Sequence, residues 1–440
     1  MKLKFFAYTK IPKSAALLLP GVKLKRWFLL IVIGAGFLAT GAAIFLELTP
    51  IHYVMEAISD LAEYLPSQIA GFAFLLLGFL FLYFGWRKTN STILDAFLPR
   101  EKGQVIEALY KKRMLDKGAR IVVVGGGTGL SSILRGLKHL TNNLTAIVTV
   151  GDDGGSSGKL RREMGILPPG DIRNCIAALA DEEDLVTKLF QYRFQEGGLG
   201  GHSFGNLFIS ALCSITGDMF RAIKESSKVL AIRGKVLPST LDDMTLVAEF
   251  EDGRIIEGES DIPEAKGKIK RLFSKPANPK ALDEAIKAIQ EADLIILGPG
   301  SLYTSVIPNL LIKDISQAIC EASAEKVYIC NIMTQPGETD DYKVSDHLKA
   351  IIQHSGSAQI VNRVIVNKEL PKNLADKYKS ANSHPVEVDF DEIYKLGYEV
   401  IEAELTEDNE KGYVRHAHEK LAKVVFELQN KYLKKKKIEA

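Results

Sequence analysis

Ile121-Val122-Val123-Val124-Gly125-Gly126-Gly127-Thr128-Gly129-Leu130 decides the fold. The β-branched run reads as a short buried strand, the glycines as a turn, and Leu130 to Leu140 has the apolar period of a helix. Leu144 to Val150 is predicted to be a second buried strand. The alternation returns later as a helix over 279–292, a strand over 293–297, the turn Gly298-Pro299-Gly300-Ser301 and a helix around 312–322. A strand over 326–331, a helix over 344–354 and a strand over 360–366 follow. Strands separated by helices pair in parallel through right-handed crossovers. The expected fold class is therefore α/β, a doubly wound, mainly parallel sheet that binds its ligand at the carboxyl ends of the strands. Residues 245–250 and 255–259, on either side of an Asp252-Gly253 turn, predict a small β-hairpin subdomain.

Two apolar runs precede this domain, Trp27 to Leu46 and Ile69 to Trp86, and neither contains a charged residue. Each matches the length of about 20 helical residues that crosses a bilayer, so the sequence predicts an N-terminal transmembrane helical hairpin. Lys2, Lys4, Lys10, Lys13, Lys23, Lys25 and Arg26 lie before the first run and Arg87 and Lys88 after the second, while the connection carries Glu47, Glu56, Asp60 and Glu63. The positive-inside rule then places both termini and the main domain in the cytoplasm, at the inner membrane. With no ionisable group inside either run, the hairpin reads as an anchor rather than a transport path. The expected organisation is a basic N-terminus at 1–26, the hairpin at 27–88, a helical connector at 89–118, the main domain at 119–430 and a basic tail at 431–440.

Composition narrows the partners. With 56 basic and 54 acidic residues, the chain has no electrostatic bias toward nucleic acid. Cys175, Cys213, Cys320 and Cys330 form no CxxC pair and read as reduced packing residues. Nothing in the sequence fixes whether the chain is a homodimer.

The second strand runs into Gly151-Asp152-Asp153-Gly154-Gly155-Ser156-Ser157-Gly158-Lys159-Leu160-Arg161-Arg162. Carboxylates, hydroxyls and cations on a glycine loop suit a phosphate-bearing ligand. Asp152 and Asp153 are the candidate catalytic pair and could share a Mg²⁺ with substrate phosphate and water, bond a sugar hydroxyl, or simply close a turn. Lys159 and Arg162 are candidate diphosphate contacts. Gly126, Gly127 and Thr128 direct backbone N–H groups toward an anion, without the third glycine of a dinucleotide fingerprint or the lysine of a P-loop. In Pro168-Pro169-Gly170-Asp171-Ile172-Arg173-Asn174, Asp171 is either a helix N-cap or a ligand contact. Arg173 and Asn174 are candidate ligand contacts, because a cation in a first helical turn calls for an anionic partner. His202, Ser203 and Asn206 follow a glycine loop; the adjacent His-Ser pair lacks a third partner, which excludes a hydrolase triad and leaves polar recognition. Gly300 and Ser301 form a second glycine turn, and Asn331 to Asp340 add polar groups at the same sheet edge.

Seven motifs in order, GGGTGLS, TVGDDGGSSGKLR, PPGDIRNCIAALA, LFQYRF, GGHSFGNL, LGPGSLYTSVIPNLL and NIMTQPGETD, give residues 120–429 a specific resemblance. This part of the chain resembles the YvcK family of gluconeogenesis factors, within the group that includes the 2-phospho-lactate transferase CofD. The resemblance implies a CofD-like, Rossmann-type fold and binding of UDP-sugars such as UDP-N-acetylglucosamine. It also implies regulation of cell shape and peptidoglycan synthesis during gluconeogenic growth, through envelope-synthesis proteins. By motif position the ligand contacts would be Gly126, Gly127, Thr128, Asp152, Asp153, Ser156, Ser157, His202, Asn206, Gly300 and Ser301. Many members of the family begin near the first strand, so the hairpin is a departure. The leading expectation is a nucleotide-sugar-binding regulator without turnover; the alternative is a Mg²⁺-dependent CofD-like transferase of a phosphate-bearing group.

Overall fold

A computed structural model describes residues 24–45, 49–62, 67–97, 113–181, 183–369, 378, 380, 382–406 and 414–439. The chain divides into two units, Met1–Met114 and Leu115–Ala440. In the second, β1 (Ile121–Gly125), β2 (Leu144–Val148), β3 (Lys235–Pro238), β7 (Leu294–Leu297), β8 (Glu325–Ile329), β9 (Arg363–Asn367) and β10 (Glu399–Ala403) form one sheet in the order β10-β9-β8-β7-β1-β2-β3. Every pairing in it is parallel. β1, β2, β7 and β8 are buried along their whole length, which explains why β1, β2 and β7 read as largely apolar runs instead of alternating ones.

β1 lies between β2 and β7, so the chain reverses its direction of winding there. This is the topological switch point, where connections leave the central strands toward opposite sides and open a crevice. The helix after β1 is Gly127–Leu137, and its buried residues Leu130, Ile133, Leu134 and Leu137 keep the spacing that the sequence showed.

The hairpin subdomain is larger than expected. β4 (Thr245–Phe250) pairs antiparallel with β5 (Ile255–Glu257) and with β6 (Ile269–Lys275), giving a three-stranded sheet. β6 alternates exposed and buried positions only irregularly and carries three cations, Lys270, Arg271 and Lys275, so its sequence hides its strand character. The sequence does not announce β3 and β10; they are the edge strands, where burial is incomplete and the apolar signal weak. The last helix is His418–Glu439, so it runs on into the expected basic tail at 431–440.

The first unit contains the helices Leu24–Phe45, Thr49–Ala62 and Ser67–Phe97. Two of them cover the apolar runs, while the expected connecting loop is itself a helix. Among the described residues no helix is long and apolar enough to cross a membrane. The structure thus carries the expected transmembrane hairpin only as helices at the two positions. The basic residues at 1–23 and connector residues 98–112 lie outside the described residues.

Candidate functional site

The two glycine turns meet at the switch point. A Cβ added to Gly129 would lie 2.4 Å from the Pro299 carbonyl oxygen, and one on Gly300 would lie 3.3 Å from the Gly126 oxygen. Glycine is required here so that the loops after β1 and β7 can approach backbone to backbone. Gly127, the first residue of its helix, has φ +65°, and its N–H donates to Asp171 Oδ2 at 2.7 Å. Asp171 is therefore not the N-cap of its own helix, a place taken by Pro169, and one of its oxygens is engaged by the Gly127 N–H. It satisfies the donor that the sequence reading offered to a phosphate.

The two adjacent aspartates separate in the same way. Asp153 accepts hydrogen bonds from the backbone N–H groups of Glu259 and Ser260, each at 3.0 Å, and from the Ser260 hydroxyl. It staples the β2 loop to the small sheet. Asp152 stays at the crevice, where Oδ1 accepts the Gly154 N–H at 3.0 Å and the Ser157 hydroxyl also bonds the carboxylate. Burial raises the Asp152 carboxyl above the usual aspartate range, with the charge of Asp153 pushing the same way.

Around Asp152 the helix Gly155–Met164 begins with no acidic residue in its first turn, and its leading N–H groups find no carbonyl within the helix. Ser156 Oγ lies 3.0 Å from His202 Nδ1 and accepts the Asn206 amide at 3.0 Å; the same amide is 3.5 Å from Ser157 Oγ. All four side chains are buried. Asn206 Oδ1 and Thr149 Oγ1, equally buried, have no hydrogen-bond partner among the described residues. Buried polar atoms are normally paired, so the crevice holds unused capacity for a polar ligand.

The cations divide by role. Arg161 donates to Asp243 and to the Met244 carbonyl at 2.7 and 2.9 Å and belongs to the small-sheet interface. Lys159 and Arg162 are exposed, the latter 3.4 Å from the Asp153 carbonyl. Arg173 reaches inward, donating to Ser203 Oγ at 2.6 Å and to Asn174 Oδ1 at 3.0 Å, while its Nε is buried without a partner. Burial and the neighbouring Arg193 lower the Arg173 pKa, and Asp171 and Asp152 oppose them. Ser203 caps the helix Phe204–Thr216. Asn174 is thus a support for Arg173.

The β7 side is closed on itself. Gly300 N–H donates to Asn331 Oδ1 at 3.3 Å, Asn331 donates to Gln335 Oε1 at 3.0 Å, and Gln335 donates to Ser301 Oγ at 2.6 Å. Glu338 accepts the Tyr303 N–H and the Thr304 hydroxyl, both at 3.3 Å.

Two carboxyls were missed as individual residues. Burial pushes Glu338 up to about 7, and pushes Glu259 up to about 8, with Asp152, Asp171 and Glu338 adding repulsion. Asp171 is raised to about 6, again chiefly by burial. Glu338 lay in the polar segment after β8, but Glu259 follows a hairpin strand, and only the tertiary contact with Asp153 brings it to the crevice. Several perturbed carboxyls at one cleft mark a functional region. Among the described residues no group of three or more His, Cys, Asp or Glu is placed to hold a metal; a cation would have to take most of its ligands from substrate and water.

The described cavities lie elsewhere. One of about 380 Å³ opens beyond Asn331 at the ends of β8 and β9, and one of about 670 Å³ lies at the opposite, N-terminal edge of the sheet beside Lys326 and Arg363.

Comparison with known proteins agrees with this geometry. The family model for 2-phospho-L-lactate transferase CofD matches residues 121–406. The chain is 52% identical over 412 residues to a putative gluconeogenesis factor of Nostoc sp., covering 92% of this chain and 90% of that protein. It is 51% identical over 310 residues to the gluconeogenesis factor of Bacillus subtilis, covering 70% of this chain and 98% of that one. A crystal structure of a Bacillus halodurans protein matches with a TM-score of 0.68 at 50% identity, covering 70% of this chain and 100% of that one. The Nostoc alignment is longer than Leu115–Ala440 can supply, so it reaches into the first unit. Part of the segment before Leu115 is therefore matched in some relatives and is not a departure of this chain alone. The chain belongs to the CofD family and, within it, to the gluconeogenesis factors of the YvcK type.

Proposed function

We propose that this chain binds a nucleotide sugar, such as UDP-N-acetylglucosamine, in the crevice between β1, β2 and the small sheet, and acts as a regulator of cell shape and peptidoglycan synthesis during gluconeogenic growth. The observation that carries the reading is the buried Ser156, Ser157, His202 and Asn206 cluster at the start of the helix Gly155–Met164. Hydroxyl, imidazole and amide groups there can bond sugar and phosphate oxygens, while the helix N-terminus favours negative charge. Arg173, with its buried unpartnered Nε, supplies the inward cation. The regulatory output, with envelope-synthesis proteins as its partners, rests on kinship with gluconeogenesis factors.

The same reading anchors the protein in the inner membrane with its main domain in the cytoplasm. Supporting it are helices over both uncharged runs and apolar side chains such as Phe37, Phe72 and Leu75, which are 76%, 68% and 75% exposed. Such surfaces suit lipid rather than water. A reporter fused after residue 440 should read as cytoplasmic, and an external signal would overturn this topology.

A second reading is a Mg²⁺-dependent transferase of a phosphate-bearing group, favoured by the raised carboxyls Asp152, Asp171, Glu259 and Glu338 beside one another. Calorimetric titration with UDP-sugars, with and without Mg²⁺, followed by product analysis, separates the two. Metal-independent binding without product supports the regulator; strictly metal-dependent product formation replaces it with the transferase; no heat with any UDP-sugar removes the ligand class.

A further inference from the structure

β6 is an edge strand of the small sheet, and two backbone groups on its free side are taken by side chains instead of by another strand. Both side chains come from the last turn of the helix Val344–Ser355. Gln353 donates to the Lys270 carbonyl at 3.0 Å, and the Leu272 N–H donates to His354 Nε2 at 2.8 Å. The other ring nitrogen, Nδ1, lies 2.7 Å from the Ala350 carbonyl oxygen, one turn back in the same helix. A carbonyl only accepts and a backbone N–H only donates. Both bonds therefore hold together for one form of the ring, neutral with its proton on Nδ1.

The same ring joins two walls of the crevice. Tyr303, in the turn after β7, meets it edge-on, with centroids 5.9 Å apart and planes at 86°. The small sheet reaches the crevice just after β5, where Asp153 accepts the N–H groups of Glu259 and Ser260. Strand pairing runs from β6 through β4 to β5, so the three strands move as one piece. A shift at the β6 edge is carried to Glu259.

The titratable groups on the elements packed against the ring are themselves engaged. On β6, Lys270 and Arg271 both pair with Glu249, and Lys275 pairs with Glu257. Tyr303 bonds Tyr342 through their hydroxyls at 2.8 Å, and in the helix of His354 itself Asp346 pairs with Lys349. Burial holds His354 below the ordinary histidine value of 6.5, and its bond to the Ala350 carbonyl opposes that. A second ring proton would set an N–H at Nε2 against the Leu272 N–H, and the bond would be lost. The docked form is thus fully present above the ordinary histidine value and is lost as pH falls below it.

We propose that His354 is a positioning residue for the crevice: in its neutral form it docks the β6 edge and so holds Glu259 and Ser260 at Asp153, and its protonation releases them. The consequence for affinity rests on the nucleotide-sugar reading above, whereas the consequence for the backbone needs no ligand.

Amide hydrogen exchange of the full chain in detergent tests this at about pH 7.5 and about pH 4.5, on either side of histidine titration. Mass spectrometry reads the peptides that hold Leu272 and Glu259–Ser260, after correction for the intrinsic pH dependence of exchange. In the wild type both segments should lose protection about tenfold or more in acid. His354→Gln offers an amide oxygen that accepts the Leu272 N–H without titrating, and should hold both segments within about twofold across the same range. His354→Ala should leave both open at either pH. Calorimetry with UDP-N-acetylglucosamine at neutral pH should find His354→Ala about tenfold weaker than wild type and His354→Gln within about threefold. Wild-type segments that stay protected in acid, a loss that persists in His354→Gln, a loss confined to Leu272, or wild-type affinity in His354→Ala would each overturn the proposal. No binding by any of the three proteins would remove the nucleotide-sugar reading and leave exchange to decide the role of His354.

Discussion

The turns after β2 and β7 are built from similar parts and end in different states. Each leaves a central parallel strand, carries glycine and hydroxyl residues, and opens a helix or helical turn. After β7, Asn331, Gln335 and Glu338 from the neighbouring loop satisfy Gly300, Ser301, Tyr303 and Thr304, so the turn is closed by the protein's own side chains. After β2, Ser156 and Ser157 face His202 and Asn206, beside an unpartnered Asn206 oxygen and an aspartate held above its usual range. One turn is architecture and the other retains polar capacity for a ligand. A glycine–hydroxyl motif thus reports where a ligand could bind, and its neighbours decide whether the place is taken.

The largest effect should come from breaking the junction that both turns share. Gly129→Ala would drive its Cβ to 2.4 Å from the Pro299 carbonyl, which is backbone and cannot rotate away. A loss of about 2–4 kcal/mol in unfolding free energy is expected by denaturant titration; a loss under about 0.5 kcal/mol would show that the turns are not tightly joined.

Next, the aspartate pair should split. Asp153→Ala removes the acceptor of three donors from Glu259 and Ser260 and should destabilise the domain by roughly 2–3 kcal/mol. Asp152→Asn should leave stability within about 1 kcal/mol, because it relieves burial and repulsion, yet change UDP-sugar affinity. Equal stability losses would return both residues to a structural role.

Asn206→Ala should weaken UDP-sugar binding about tenfold, or 1.4 kcal/mol, whereas Ser301→Ala should change it less than about threefold. Calorimetry giving the opposite order would invert the comparison of the two turns.

The carboxyls at the crevice make a further contrast, one of pH. Asp171, Glu338 and Glu259 have folded values of about 6, 7 and 8, above the ordinary 3.8, 4.5 and 4.5. The folded state therefore holds protons that the unfolded chain releases. Their contribution is fully present below about pH 4 and is lost as pH rises through the folded values, between about 6 and 8. Unfolding free energy should fall from about pH 5 to about pH 9, and Glu259→Gln should flatten the upper part of that curve. A stability that rises across the same range would contradict the crowded carboxyls.

Much of the molecule was legible before folding. The central strands announced themselves because parallel strands covered on both faces are largely apolar, and β1, β2 and β7 are. Edge strands β3 and β10 and the half-exposed β6 lacked that signal. The motif residues Asp152, Ser156, Ser157, His202 and Asn206 were named as one site from their order in the chain, and they are brought together there.

By itself, then, the sequence determined the doubly wound α/β class, the sheet edge that carries the polar loops, and the family. Only the tertiary structure decided which groups at that edge are already used. Asp171 occupies the Gly127 N–H, Asp153 holds the small sheet, and Glu259 enters from a strand pair more than a hundred residues away. The reason is physical: strand and helix patterns are local, set by side-chain period along the chain, whereas a hydrogen bond between residues 44 or 106 positions apart depends on which loops the folded sheet brings within about 3 Å.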